Sequence, residues 1–154
     1  MEIKENELNY KFIIRGEEKT NNYILKHNRK TIDFIISNNS LLDLLVKNYG
    51  GHNDFMGCFT KGLKKLNKYS KNKLLNISKP ETKNGRMAIY TCPECADISC
   101  GAYCCRVEKT NGIYIWKDFA YENDYEDAKI INNVGPFYFN EKLYERIILK
   151  LSKI

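Results

Sequence analysis

The spacing of apolar positions changes several times along this chain, and each change predicts an element. Lys11–Arg15 (KFIIR) and Asn22–Lys26 (NYILK) are short apolar runs around a polar GEEKTN stretch, which predicts two strands and a turn. Thr31–Ser37 (TIDFIIS) alternates, placing Ile32, Phe34 and Ile36 on one face of a third strand. The period then lengthens. Leu41, Leu44, Leu45 and Tyr49 recur at helical spacing in LLDLLVKNY; Ser40 and Asp43 make a capping-box-like start and Gly50-Gly51 a stop. Between residues 54 and 77 the pattern weakens to a broken helix through Phe59, Leu63 and Leu66, followed by a loop to Gly85.

The second half reads more sharply. Arg86–Thr91 (RMAIYT) predicts a strand entering a cysteine turn, Ala102–Lys109 a strand leaving it, and Asn111-Gly112 a hairpin turn into Ile113–Phe119. Asn and Gly both tolerate positive φ, so that turn has a mechanism. After an acidic loop, Gly135-Pro136 introduces a short FYF strand. Asn140 then caps a last helix with Leu143, Tyr144, Ile147, Ile148 and Leu151 on its apolar face. The sum is an α+β fold, an antiparallel sheet with helices packed mainly on one side, formed as a single domain over residues 1–154.

Composition narrows the function classes. With 154 residues, three prolines and nine glycines, the chain matches one globular domain without long linkers. No window approaches the roughly 18 consecutive apolar residues of a membrane span, and the opening MEIKENELNYKFIIRG lacks a signal-peptide core, so the expectation is a cytoplasmic protein with no membrane partner. In that compartment the six cysteines should be mostly thiols. The net charge of +6 is local: residues 1–85 carry 16 Lys and Arg against 9 Asp and Glu, residues 86–154 carry 9 against 10. Eight lysines fall between Lys61 and Lys83 and only Glu81 opposes them. That stretch holds one aromatic, Tyr69, and no arginine, so a solvated lysine face fits it better than a nucleic-acid surface.

Two constellations carry candidate chemistry. Cys92, Cys95 and Cys100 stand in the run CPECADISCG, with Cys104 and Cys105 close behind. A C-x-x-C turn offers zinc two thiolates from one knuckle; Cys100 is a third, and Cys104, His52 or His27 would have to complete a tetrahedron. The same spacing fits a redox dithiol or a tight turn of packed, reduced thiols. Glu94 and Asp97 beside the turn disfavour a lowered thiol pKa, and no G-x-G-x-x-G or P-loop binds a nucleotide cofactor. The second constellation is WKDFAYENDYED. Trp116, Asp118, Phe119, Tyr121, Glu122, Asn123, Asp124 and Tyr125 are candidate partner-binding residues, because rings and carboxylates together suit a protein interface. No residue there qualifies as a catalytic nucleophile, and His27 and His52 are isolated in sequence.

Residues 86–148 resemble a group of small bacterial proteins. Their pattern is a C-x-x-C-x-x-x-x-C-G turn, a hairpin, a W-x-D-F-x-x-E-N motif, an aromatic strand and a closing helix. The matching positions are Cys92, Cys95, Cys100, Gly101, Trp116, Asp118, Phe119, Glu122 and Asn123. The resemblance implies this architecture; an oxidoreductase label common in the group gains no support from the residues just described. A small domain with a lysine-rich part and an acidic aromatic loop also looks like the immunity proteins that neutralise bacterial toxins. That analogy implies a non-enzymatic protein with a cognate protein toxin as partner. The alternatives are a zinc-stabilised nucleic-acid-binding protein and a Cys-dependent redox enzyme.

Overall fold

In the computed structural model, the described residues are 4–15, 18–20, 23–26, 29–51, 53–93 and 98–154. Cys95, His27, His52, Glu94 and Asp97 lie outside them, as do parts of the GEEKTN stretch. Among the described residues no helix is long and apolar enough to cross a membrane.

The first half is built on a long antiparallel pairing. Strand β1 (Leu8–Arg15) pairs with β4 (Arg29–Ile36), and between them β2 (Glu18–Thr20) pairs with β3 (Tyr23–Lys26). The polar stretch read as a turn therefore contains a strand of its own. Ile32, Phe34 and Ile36 are buried as their alternation requires, but Thr31 and Asp33 on the opposite face are buried too. Thr31 is covered by residues 57–60, its Oγ1 donating to the Gly57 and Phe59 carbonyls at 3.1 and 2.8 Å, and Asp33 by α1 (Leu41–Tyr49), which follows the two-residue β5 (Asn39–Ser40) and packs against β4. Ser40 Oγ accepts the Asp43 N–H at 3.0 Å and donates to Asp33 Oδ2 at 2.5 Å, while the Leu42 N–H reaches Asp33 Oδ1 at 3.3 Å. The buried carboxylate thus sits at the positive end of the helix, where orphan N–H groups can satisfy it. Leu41, Leu42 and Leu45 face the core, and Gly50 closes the helix at φ 93.

After the short β6 (Met56–Gly57), helix α2 occupies Lys64–Leu74. It begins later than the apolar pattern suggested: Phe59 lies in extended chain, where Thr60 bridges Thr31. Its inward side is polar, with Asn67, Ser70 and Lys73 buried beside Leu74. Asn67 exchanges side-chain hydrogen bonds with the Thr60 backbone, and Ser70 Oγ donates to the Cys58 carbonyl at 2.6 Å. Those bonds offset the burial of polar groups, which is why an apolar periodicity was weak.

The larger sheet runs β10 (Lys129–Ile130), β9 (Ile113–Glu122), β8 (Ala102–Thr110), β7 (Met87–Thr91) and β6 in spatial order, with β11 (Phe137–Asn140) also on β9. Asn111 and Gly112 make the hairpin turn with φ 49 and 77. Helix α3 (Glu141–Leu151) closes the fold, its first N–H groups at Lys142 and Leu143 capped by Asn140 Oδ1. It places Tyr144, Ile148 and Leu151 inward, whereas Leu143 is 57% exposed. The helices lie mainly to one side, as expected. One relay ties the layers together: Trp116 Nε1 donates to the Tyr144 hydroxyl at 3.0 Å, which donates to the Leu74 carbonyl at 2.8 Å. Phe34 and Phe139 pack edge-on against Trp116, with centroids 5.0 and 5.2 Å away.

Candidate functional site

Strand β9 does not stop at Phe119 but passes through a bulge. Cys104 pairs with Ala120 and Arg106 with Lys117, so Asp118 and Phe119 together oppose Cys105 alone. Asp118 adopts φ 58, a conformation Asp tolerates better than most residues. The bulge turns its carboxylate toward two arginines. Arg106 Nε donates to Oδ2 at 2.6 Å and Arg86 Nη2 to Oδ1 at 2.9 Å, while Arg86 Nε donates to the Asp118 carbonyl at 2.7 Å. Burial alone would raise the Asp118 carboxyl; the hydrogen bonds and charges of Arg106 and Arg86 outweigh it and hold the group below its ordinary range.

Arg86 reaches a second carboxylate at Glu122, Nη1 to Oε2 at 3.5 Å. Both side chains are almost fully buried, and Asn84 Nδ2 donates to the other Glu122 oxygen at 2.7 Å. Trp116, Phe119 and Glu122 are covered by the protein's own side chains. Their place is beneath the surface rather than on it. Asn123 Oδ1 accepts the Tyr125 and Glu126 N–H groups at 3.2 and 2.8 Å and sets the next turn. On that turn Asp124, Glu126 and Asp127 are exposed and Tyr125 is 71% exposed. Of the eight residues expected to bind a partner, the structure presents Asp124 and Tyr125 openly, with Asp118 partly exposed but committed to its arginines.

Tyr121 belongs to a different cluster. With Tyr49, Phe55 and Tyr103 it forms a bed of rings, adjacent centroids 4.8 to 6.3 Å apart. Its hydroxyl donates to the Cys100 carbonyl at 3.3 Å. Gly101, at φ 107, lies so close beneath the Tyr121 ring that a Cβ would overlap it. Cys100 and Gly101, at the end of the cysteine turn, are thus seated on β9 through an aromatic contact. The buried Tyr103 hydroxyl has no hydrogen-bond partner among the described residues, and burial followed by the charges of Tyr49, Tyr121 and Asp54 pushes it up to about 12.

The cysteines separate into distinct environments. Cys58, Cys104 and Cys105 are buried thiols, as packed cysteines are expected to be. Burial, followed by the Glu81 charge, pushes Cys58 up to about 12, and burial raises Cys104 and Cys105 well above the ordinary thiol range. Cys92 is a half-buried free thiol and Cys100 is disulfide-bonded. Among the described residues no group of three His, Cys, Asp or Glu side chains is arranged around a common metal position. Cys92 and Cys100 are the described members of the zinc set read from the sequence, and Cys100 would have to be reduced to ligate.

The sequence marks Glu81 as the lone acid of the lysine stretch but gives no role to Arg86 or Lys73. Lys73 is 4% exposed, its Nζ 3.0 Å from Glu81 Oε2 and 3.4 Å from the Tyr69 ring centroid. Glu81 also accepts the Tyr69 hydroxyl at 3.2 Å and the Ala88 N–H at 2.6 Å. A cavity of about 210 Å³ lies among Cys58, Leu66, Tyr69, Lys73, Glu81 and Met87. Its charged groups are already matched to one another. The signal available in sequence was the lone acid of the lysine stretch, together with Asn67, Ser70, Lys73 and Leu74 at helical spacing.

No family model, curated protein or solved structure matches the chain.

Proposed function

We propose that this chain is a non-enzymatic protein-binding domain of the immunity type, which neutralises a cognate bacterial toxin in the cytoplasm by direct contact. The observation that carries the reading is the acidic, aromatic turn at residues 123–127, fixed by Asn123 and mounted on the Arg86–Glu122 pair. A surface held in place before contact loses little conformational entropy on binding. Exposed Asp124, Glu126 and Asp127 around Tyr125 suit a cationic cleft, such as that of a nuclease. The test is calorimetry of the purified chain with the product of an adjoining toxin-like gene. Binding should be one-to-one, suppress toxicity, and weaken at least about tenfold in Tyr125→Ala combined with Asp124→Lys. Tight binding that ignores both substitutions would remove the turn from the reading; no binding at all would remove the toxin.

A second reading, a zinc-stabilised nucleic-acid binder, draws on one observation. Lys61, Lys64, Lys65 and Lys68 are exposed along α2 and its approach, and among the described residues none forms an ion pair. Lys64 instead donates to the Lys153 and Ile154 carbonyls at 3.2 and 3.4 Å. Retention of RNA or DNA that falls steeply with salt and disappears in Lys64→Ala, Lys65→Ala, Lys68→Ala together would favour it. Zinc analysis of the reduced protein tests its metal, with Cys92, Cys95 and Cys100 as ligands. The redox alternative rests on Cys92 and the disulfide-bonded Cys100, because burial disfavours the thiolates of Cys58, Cys104 and Cys105.

A further inference from the structure

Strand β1 pairs with β4 along one edge, and no described strand pairs along the other. The hydrogen-bond phase identifies the groups on that free edge. Ser37 N–H donates to the Glu7 carbonyl at 2.8 Å, so the odd-numbered residues aim their backbone groups at β4. Even-numbered residues aim theirs outward, and Asn6 shows it: its N–H donates to the Tyr138 carbonyl of β11 at 2.6 Å. The outward groups beyond Asn6 belong to Leu8, Tyr10, Phe12 and Ile14, about 20 Å of strand edge at the usual rise. Two of these groups are held only by neighbouring side chains. Asn9 Oδ1 accepts the Tyr10 N–H at 2.9 Å, and Arg15 Nη1 donates to the Ile14 carbonyl at 2.9 Å.

Along this edge Leu8 is buried and Tyr10 half-buried, and the apolar side chains beyond them are open. Phe12 is 40% and Ile14 52% exposed, although register puts both on the face that carries Ile32, Phe34 and Ile36 in the core. Natural edge strands are commonly short, charged or covered; this one has eight residues and a single charge, Lys11, between Leu8 and Ile14. Where β1 meets α3, a groove of about 500 Å³ opens among Leu8, Phe139, Leu143, Tyr144, Arg146 and Ile147. Charge is graded along it. Glu5 and Glu7 line the end near Asn6, Arg146 stands at the α3 wall, and Lys150 and Lys30 lie over the Tyr10 and Phe12 rings at 5.8 and 4.6 Å. Among the described residues no carboxylate pairs with Arg146, Lys150 or Lys30.

We infer that the free edge of β1 receives an extended segment of a partner protein by strand addition. That segment carries an aliphatic side chain for the groove and carboxylates for the Lys150 and Lys30 end. Main-chain hydrogen bonds to Leu8, Tyr10, Phe12 and Ile14 supply the pairing, and alternate side chains supply the selectivity. The surface is separate from the turn at residues 123–127, so failure here leaves the toxin reading intact, and the reverse holds.

The test is an NMR titration of the full chain with synthetic seven-residue peptides that alternate Leu or Val with Glu. The expected result is saturable shifts at Leu8, Tyr10, Phe12 and Ile14, with amide exchange at Phe12 and Ile14 slowed at least about tenfold. A twin with Lys in place of Glu should bind at least about tenfold more weakly. N-methylation along one peptide edge should abolish binding and along the other leave it unchanged. Leu143→Glu, an exposed substitution, should weaken binding while the melting temperature stays constant. The inference is overturned by an absence of saturable shifts, by equal binding of the Lys twin or of both N-methylated isomers, or by protection of these amides through dimerisation of the chain without peptide.

Discussion

Replacing Arg86 with Met tests whether the acidic turn rests on a buried charge pair. In the native protein the guanidinium is 6% exposed and faces two carboxylates, Asp118 at 2.9 Å and Glu122 at 3.5 Å. Asp118 keeps Arg106 when Arg86 is lost, whereas Glu122, 4% exposed, keeps among the described residues only the Asn84 amide. Breaking a buried pair from one side costs about 3–5 kcal/mol, because the remaining charge has neither water nor a counter-ion. With a urea slope of about 2 kcal/mol/M, the unfolding midpoint should fall by about 1.5–2.5 M. The single tryptophan, Trp116, is wholly buried, so its fluorescence reports the transition. The partner substitution separates the causes. Glu122→Gln alone should cost about 1–2 kcal/mol, since Arg86 retains Asp118, and adding it to Arg86→Met should recover at least about 1.5 kcal/mol. A loss under about 1 kcal/mol for Arg86→Met, the scale of an exposed pair, would refute the reasoning. So would a double variant no more stable than the single one.

Other outcomes follow from the same geometry. Because Asp118 is held below its ordinary range, its contribution is present above about pH 4 and is lost as pH falls through the folded value; Asp118→Asn should approach the native protein in urea stability toward pH 2, and a gap constant from about pH 6 to pH 2 would refute this. Tyr90→Phe removes the donor to Asp33 at 2.5 Å and the acceptor of the Phe34 N–H at 2.9 Å, so it should cost about 1–3 kcal/mol by chemical denaturation. Gly101→Ala meets both a positive φ and the Tyr121 ring and should lower the melting temperature, whereas Gly62→Ala, also at positive φ but with open space, should lower it less. Of the described free thiols, Cys92 should react with a thiol reagent in the native state, while Cys58, Cys104 and Cys105 wait for denaturant.

The elements legible in the sequence are those whose instructions are local. Helix α1 runs Leu41–Tyr49 as the leucine spacing and Ser40 cap predict, and Asn111-Gly112 turns the hairpin where positive φ is tolerated. Helix α2 was blurred because its buried side is polar and satisfied by residues 58–60, which no local pattern displays. Within WKDFAYENDYED, composition pointed to an interface but could not say which residues face outward. A one-residue bulge shifts Asp118 out of the strand's alternation, and Arg86, 32 positions earlier, draws it and Glu122 into a shared network.

The sequence by itself determined the α+β class, the places where α1, α3 and the Asn111-Gly112 hairpin begin, and a lysine-rich first half against a nearly neutral second. Cap residues, glycines and apolar spacing act within a few positions of themselves, so a linear reading contains them. Only the tertiary structure decided that Trp116, Phe119 and Glu122 lie inside, that Lys73 leaves the lysine surface to meet Glu81, and that one edge of β1 is paired by no described strand. Those outcomes depend on which distant side chain or strand occupies the neighbouring space. Burial and charge pairing are properties of that space rather than of the residue alone.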